Sequence, residues 1–502
     1  MERCKKGSTL AIRCWLLCVA CGLGCLTVDA AAAAAQLDTA DLRRDLKRVA
    51  AAYERAARRQ APHRLSGSPG PCDEIVGRFC LTYDAARNTP LPPEPEGVKE
   101  ARAAAIAAFR GGARQLPHDT AVAAPLVRYL IEHGEFDAAL EAAQAFAQAN
   151  PGTAWSDLLL GFALHYAQQN AESERAFDIA LVQLTEREQR RAADVYYLLS
   201  PAERSIYKKL LEAPRQKYHR ELWRLADPLF LTPGNESRTE HFARYVYARI
   251  LARVPVVLGS VSWGDDIEEL TRRFGVPAAR TQSWGNTGFD LQITEHFEPD
   301  QLTYVPPELS RTRVPPAPLP GAGWPYDTVR VRSGFAPRTV RAMRPLEHQL
   351  SRFPAGSATR LRVDFRMSLD TAVAPDARVE AGLFVADSVL EVLAEVRDTI
   401  QNEAGVAQGW LELDLPSGAR IYSVETRELS THLAARARYQ LPPRPAGPLV
   451  ISDLVLLAAG DPLPVNRDAP QFHPLGSLVI ETSRPIALYL EVIGLAAGGD
   501  DE

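Results

Sequence analysis

A spacing of 34 residues recurs between residues 97 and 199, and it constrains the fold more than any other feature of the chain. Two series of positions share this interval, one occupied by small residues and one by phenylalanine or alanine. The two series are Ala105, Ala139 and Ser173, and Phe109, Ala143 and Phe177. A fixed period of this length indicates stacked pairs of helices, each pair too small to bury its apolar face alone. We therefore predict an array of helical repeats over residues 97–199.

Small and aromatic residues at these offsets in a 34-residue period are typical of tetratricopeptide (TPR) repeats. Gly134 is predicted to lie at the turn between two helices, and Gly161 to allow two helices to pack closely. Because so few repeats need other segments to cover their ends, we expect adjacent helices to cap them. Such an array can offer a surface to a peptide or a partner protein, or it can serve only to support the next domain.

The hydrophobic pattern changes to a period of two in the last third of the chain, after a proline-rich stretch at residues 301–357 that we interpret as a linker. Over Arg360–Met367 apolar and polar residues alternate, which predicts a half-buried strand. About eight or nine short runs of this kind predict an antiparallel β-sandwich over residues 358–495, followed by an acidic tail at 496–502. The predicted fold class is therefore α+β, with several domains.

The N-terminus has the three parts of a secretory signal peptide. A basic start is followed by the apolar run Cys14–Val28 and by alanines at 30–35. The apolar run is shorter than the roughly 20 residues that a membrane-spanning helix needs. We therefore predict a signal peptide at residues 1–35 and export to the periplasm or cell envelope. An uncleaved anchor and a lipoprotein with its lipid on Cys21 or Cys25 are the alternatives.

Two cysteines, Cys72 and Cys80, lie beyond the signal peptide, in an N-terminal region at residues 36–96 that is predicted to contain a helix and a cysteine loop. A lone pair of cysteines in an oxidising compartment indicates a disulfide. One straight helix would separate these two residues by about 12 Å, which a disulfide does not span. The disulfide therefore needs a turn between them, and Gly77 can supply it. Two buried thiols are the alternative.

Short motifs between residues 200 and 495 resemble those of GWxTD-domain proteins. The family signature corresponds to Ser262–Asp266 (SWGDD), in which Ser262 stands in place of glycine and Asp265 in place of threonine. Other similar positions precede and follow this segment, and two lie in a predicted strand near the C-terminus. The motif residues are Trp223, Asp227, Pro228, Asn235, Glu236, Trp263, Asp266, Gly275, Pro277, Ser452 and Asp453. The resemblance implies a small mixed domain at residues 200–300 and a bacterial, exported protein. It implies no reaction, because the family is functionally uncharacterised.

Asp265 and Asp266 are the nearest approach to a pair of catalytic carboxylates. Adjacent acids can hold a hard cation or take part in acid–base chemistry. Aspartates at the start of a helix also satisfy free N–H groups, which explains the pair more simply. Trp263 beside them is a candidate binding platform for a glycan, or else a core residue. The chain has no Walker-type loop, GxSxG elbow or HExxH helix, so we predict no cofactor and no metal.

The formal net charge of −5 argues against nucleic acid as a partner. We predict a non-enzymatic interaction or scaffolding protein of the bacterial cell envelope that binds a protein partner through its helical repeats. A surface polymer is a second expected partner, and membrane contact is expected only through the signal peptide or a lipid anchor. The alternative function is an enzyme that acts on an envelope or extracellular polymer, with an acidic site near Trp263.

Overall fold

The structure is a computed structural model with an α+β fold, in which helices fill the N-terminal half and sheets the C-terminal half. The predicted signal peptide, residues 301–339 of the proline-rich stretch and the acidic tail at 496–502 lie outside the described residues. The residues described are 39–57, 59–60, 63–64, 72, 74–82, 93–199, 201–254, 262–275, 277, 279–284, 291–296, 340, 342–356, 358–369, 377–401, 405–441, 450–459, 462–480 and 485–493.

The helical half is a succession of short helices joined by tight turns. The helices are α1 (39–57), α2 (Glu96–Gln115), α3 (Thr120–His133), α4 (Phe136–Ala149), α5 (Ala154–Tyr166), α6 (Asn170–Gln183), α7 (Glu186–Ala193), α8 (Pro201–Tyr207), α9 (Glu212–Ala226), α10 (Glu236–Leu251) and α11 (Asp265–Phe274). Within the described residues, no helix combines the length and the apolar character that crossing a bilayer requires.

The 34-residue interval of the sequence reappears in the positions of the helices. Helices α3 and α5 begin 34 residues apart, and so do α4 and α6. Gly134 forms the predicted turn between α3 and α4 in a left-handed conformation, with φ of 83°. One interval later Gln168 takes the same conformation, with φ of 62°. Gly161 allows the predicted close packing, because a Cβ atom there would lie 2.8 Å from the Phe177 ring.

Helices outside the repeats complete the helical core. On one side α1 packs on α2 and α3, where the rings of Tyr53 and Tyr129 meet edge to face with centroids 4.9 Å apart. On the other side α10 packs on α5 and α6, and the Phe242 ring lies 5.4 Å from that of Phe177. The expected capping of the repeats therefore comes from segments on both sides of them.

A small sheet joins two regions that the sequence analysis treated as separate. Its strands, in spatial order, are β1 (His63–Arg64), β4 (Ala279–Trp284), β5 (Leu291–His296), β3 (Phe79–Thr82) and β2 (Glu74–Val76). Strand β3 runs parallel to β5, so the N-terminal cysteine region pairs with the end of the segment at 200–300. Local hydrophobic patterns do not reveal the pairing of strands about 200 residues apart, so the sequence predicted two separate regions here.

Two larger sheets in the C-terminal half share one apolar core. The strands of this half are β6 (Ala342–Pro345), β7 (Glu347–Ala355), β8 (Ala358–Ser368), β9 (Arg378–Ala386), β10 (Val392–Gln401), β11 (Val406–Asp414), β12 (Ile421–Glu428), β13 (Leu433–Gln440), β14 (Val450–Ile451), β15 (Val455–Ala458), β16 (Ile486–Tyr489) and β17 (Val492–Ile493). One of the two larger sheets has the order β10-β9-β12-β13-β6 and the other β11-β8-β7. Leu361 and Phe365 of β8 meet Leu383 of β9 and Val424 of β12 in the shared core.

The C-terminal boundary of the predicted linker is wrong. Strands β6 and β7 lie inside residues 301–357, so the sheets begin before residue 358. Strand β7 buries polar side chains such as Gln349 and Ser351. A strand that buries polar residues does not show the apolar alternation by which strands are found in a sequence.

Candidate functional site

The segment around Trp263 is tied to the hairpin of β2 and β3. Arg78, at the hairpin turn, donates from Nε and Nη2 to the two carboxylate oxygens of Asp266, at 2.6 and 2.7 Å. Its Nη2 also donates to the carbonyl of Ser262 at 3.0 Å. The disulfide between Cys72 and Cys80 spans the same hairpin, with Cα atoms 5.4 Å apart, and the predicted turn between them is present.

The two adjacent aspartates do not act as a pair. Hydrogen bonds from Arg78 lower the pKa of Asp266, so its carboxylate is ionised at neutral pH and both of its oxygens are engaged. Asp265 is exposed, and neighbouring positions on a helix point about 100° apart. Trp263 is half-buried and packs against the helical core. This arrangement favours a structural role for Asp266 and Trp263.

The first motif residues hold α9 against α10. Trp223 is buried on α9 with its ring centroid 4.9 Å from that of His241 on α10. Its carbonyl accepts a hydrogen bond of 2.6 Å from Nδ2 of Asn235. The Oδ1 atom of Asn235 accepts from the N–H of Arg238 at 2.9 Å, so this side chain caps α10. Asn235 is therefore the N-cap of α10.

Asp227 and Pro228 join the helical half to the C-terminal sheet. Arg436 and Arg438 of β13 donate from Nη1 to the main-chain carbonyl of Asp227, at 2.9 and 3.0 Å. Arg436 also donates to the carbonyl of Pro228. Arg438 in turn forms a buried ion pair of 2.9 Å with Glu425 of β12. We call these five residues the inter-half joint.

Glu236 begins α10 beside the joint and is almost fully buried. Its Oε1 atom accepts a hydrogen bond from the hydroxyl of Thr232. Burial, followed by the nearby charge of Asp227, raises the pKa of Glu236 well above its ordinary value. Burial likewise raises the pKa of Asp227 to about 8. Neither Asp227 nor Glu236 lines a cleft described for the chain.

The remaining motif residues also have structural partners. Gly275 ends α11 with φ of 75°, and Pro277 is buried. Asp453 accepts hydrogen bonds from the main-chain N–H, Nε and Nη2 of Arg352 on β7. The hydroxyl of Ser452 accepts a hydrogen bond from the N–H of Glu491, and the N–H of Ser452 donates to the carbonyl of Glu491. The predicted strand at Ser452 and Asp453 is wrong, because both lie in the irregular segment between β14 and β15.

Among the described residues, no three histidine, cysteine or acidic side chains come close enough together to hold a metal ion.

A cleft of about 640 Å³ lies where the repeats meet the next helices, and sequence reasoning missed it. Val182 at the end of α6 lies on one side and Tyr207 of α8 on the other, where the Tyr207 hydroxyl is 2.9 Å from Nε2 of His219. Burial lowers the pKa of His219 to about 4, so that ring is neutral at pH 7. We call this the helical cleft, and its lining includes Leu181, Val182, Glu186, Arg190, Tyr207, Glu212, Arg215 and His219.

No protein-family model matches this chain, and no curated protein is significantly similar to it. The resemblance to GWxTD-domain proteins therefore stays a prediction from the residues alone.

Proposed function

We propose that this chain is a non-enzymatic interaction protein of the bacterial cell envelope, which binds a partner protein through its helical half. The observation that carries the proposal is the apolar surface at the helical cleft. Val182, which lines the cleft, is 82% exposed, and Ile179 one turn earlier on α6 is 53% exposed. Ile206 and Leu211, which directly precede the lining residues Tyr207 and Glu212 in the chain, are exposed as well. Clustered apolar side chains at a surface mark interaction sites.

The lining of the helical cleft indicates what kind of partner fits. Leu181 and Val182 supply apolar surface, while Arg190 and Glu212 supply charges of both signs. Arginine is enriched at protein interfaces because it combines a large contact area with polar groups. We infer that the partner inserts a peptide segment with an apolar anchor side chain flanked by polar residues.

We also propose a more specific architecture for each half of the chain. The 34-residue spacing between equivalent helices supports TPR-like packing over α3–α6. In the other half, the shared core between two mainly antiparallel sheets supports a β-sandwich. Repeats of this kind commonly present a binding surface on a rigid frame, which agrees with a scaffolding role.

The compartment is proposed from the cysteines and the N-terminal pattern. A disulfide between Cys72 and Cys80 is stable in an oxidising compartment and rare in a reducing one. This supports export by the predicted signal peptide at residues 1–35.

The enzymatic alternative near Trp263 receives less support, since Arg78 occupies both oxygens of Asp266. The mass of the mature N-terminus after expression in a bacterium distinguishes simple cleavage from lipidation at Cys21 or Cys25.

Selection from a random-peptide display library tests the proposed binding site with the full chain as bait. We expect a set of peptides that share an apolar anchor. Val182→Glu should weaken their binding by roughly tenfold or more, because a charge would replace the apolar contact.

The matched control is Val465→Glu, since Val465 is even more exposed and lies in the other half of the chain. This variant should bind the selected peptides as the wild-type chain does. Failure to select any peptide, or equal loss in both variants, would contradict the proposed site.

A further inference from the structure

We propose that a second cleft, on the C-terminal sheets, binds an uncharged oligosaccharide with Trp410 as its stacking platform. The floor of this cleft is the face of β8 and β11 turned away from the shared core, and one wall is the segment at 467–472. We call it the Trp410 cleft. Its volume of about 650 Å³ lies within the range of small-ligand sites and is enough for a few sugar units.

The platform is held in place before any ligand binds. Trp410 is 53% exposed, although most tryptophans in folded proteins are largely covered. The guanidinium of Arg362 lies 4.3 Å from the Trp410 ring centroid and 5.1 Å from that of Phe472. Arg362 is itself fixed by a buried ion pair of 2.7 Å with Asp364. One face of the indole therefore rests on a rigid support, and a platform fixed in this way loses little entropy on binding.

Paired charged side chains stand beside the platform. The register of β8 and β11 places Asp414 opposite Arg360 and Glu412 opposite Arg362. The Nε atom of Arg360 lies 3.0 Å from Asp414 and 3.2 Å from Glu412. Carboxylates accept and guanidinium groups donate in fixed planes. Such neighbouring acceptors and donors match the adjacent hydroxyl groups along the edge of a sugar ring.

One polar group of the wall has an unused donor. In the described part of the chain, Nη1 of Arg467 is buried and has no hydrogen-bond partner. The guanidinium lies 5.2 Å from the centroid of the Phe353 ring. A buried donor without a partner is costly. Because this atom is closed to solvent, the Arg467 side chain has to turn toward the Trp410 cleft, which it lines, before a ligand hydroxyl can accept from it.

The balance of charge selects the class of ligand. Six of the nine lining residues are charged, three of each sign, so the cleft favours neither an anion nor a cation. Apart from Trp410, only Leu413 and Phe472 are apolar there, which is little for an apolar peptide anchor. A neutral sugar has apolar C–H faces that stack on an indole and hydroxyl edges that take hydrogen bonds. The C–H faces of the sugar match the Trp410 ring, and its hydroxyl edges match the charged side chains of the lining.

This site is independent of the proposed peptide site, because the two clefts lie in different halves of the chain and share no lining residue. Calorimetric titration of the full chain with hexasaccharides of glucose, mannose, xylose and N-acetylglucosamine, and with a uronic-acid hexamer, tests it. We expect at least one uncharged hexasaccharide to bind. Trp410→Ala should weaken that binding by roughly thirtyfold, and Trp410→Phe, which keeps an aromatic face, should weaken it less.

The matched control is Leu488→Ala, which removes an apolar side chain that is 62% exposed on β16, outside the cleft. It should leave the affinity unchanged. Arg467→Gln offers a second variant that keeps the fold and should weaken binding by roughly tenfold. Absence of binding to every uncharged hexasaccharide, tighter binding of the uronic-acid hexamer, or unchanged affinity in Trp410→Ala would each overturn the proposal. If Trp410→Ala still binds the selected peptides, the oligosaccharide site and the peptide site are independent of each other.

Discussion

His348 on β7 is a buried histidine, and its burial favours the uncharged ring. Its Nδ1 atom lies 3.1 Å from the carbonyl of Leu346, and its Nε2 atom lies 2.9 Å from the hydroxyl of Tyr422. A carbonyl can only accept, so in the neutral ring Nδ1 carries the proton and Nε2 accepts from the tyrosine. Burial accordingly lowers the pKa of His348 to about 4.

This histidine makes stability depend on pH in a defined direction. In the unfolded chain His348 takes up a proton near pH 6.5, whereas in the folded chain it does so near pH 4. Its contribution is therefore complete above pH 6.5 and is lost as the pH falls towards 4, by about 3 kcal/mol in all. Urea denaturation of His348→Gln between pH 7 and 4 should show a correspondingly shallower loss than the wild-type chain.

The exposed His473 gives the control for that measurement. His473→Gln should follow the wild-type dependence on pH. If His348→Gln also follows it, burial does not lower the pKa of His348 as argued.

At the scale of the element, the hairpin of β2 and β3 depends on one glycine. Gly77 has φ of 53°, and a Cβ atom at this position would lie 2.4 Å from the Cβ atom of Asp266. The turn must therefore be both left-handed and close to α11, which brings Arg78 within reach of Asp266. The sequence indicated a turn at Gly77 but not the helix against which it packs.

Gly77→Ala should lower the free energy of unfolding by about 1–3 kcal/mol, because it adds backbone strain and a steric clash. Urea denaturation measures the loss, and hydrogen exchange of the β3 amides should locate it in the hairpin. Gly97→Ala is the matched control, since an added Cβ atom there meets nothing within 4 Å. This second change lies within α2 and should stabilise the chain by about 0.5–1 kcal/mol. Equal effects of the two substitutions would refute the argument.

At the scale of the whole molecule, the inter-half joint connects helices and sheets through buried charge. Arg438 and Glu425 are both almost completely buried, and the Phe230 ring lies against the guanidinium at 3.8 Å. Glu425 also accepts a hydrogen bond of 2.9 Å from the N–H of Leu231. Removing one charge of such a pair leaves the other unpaired in the interior, which costs about 3–5 kcal/mol. The joint therefore couples the stability of the two halves.

Arg438→Met should destabilise the chain by about that amount and separate its thermal unfolding into two calorimetric transitions. Glu425→Gln added to Arg438→Met should recover part of the lost stability, because it removes the unpaired buried charge and keeps an acceptor for the N–H of Leu231. The control is Arg427→Met, which breaks a partly exposed ion pair with Glu380 on the same sheet and should cost at most about 1 kcal/mol. A single unchanged transition in Arg438→Met would contradict the coupling.

The sequence by itself determined the features that depend on residues close together in the chain. Helix positions follow from apolar residues three or four apart, so the 34-residue spacing placed the turn at Gly134 and the contact at Gly161. The turn between Cys72 and Cys80 is local in the same sense. The α+β class followed from the change of period.

Only the tertiary structure decided which distant residues meet. Arg436 lies 209 residues from Asp227, and Arg78 lies 188 residues from Asp266. A local pattern specifies which face of an element is apolar, but not which other element covers it. For this reason the sequence directed attention to Trp263, which packs on the helical core, while Trp410 stands open on a sheet. For the same reason the sequence did not show that the motif residues Asp227 and Asp453 contact distant strands and hold separate parts of the fold together.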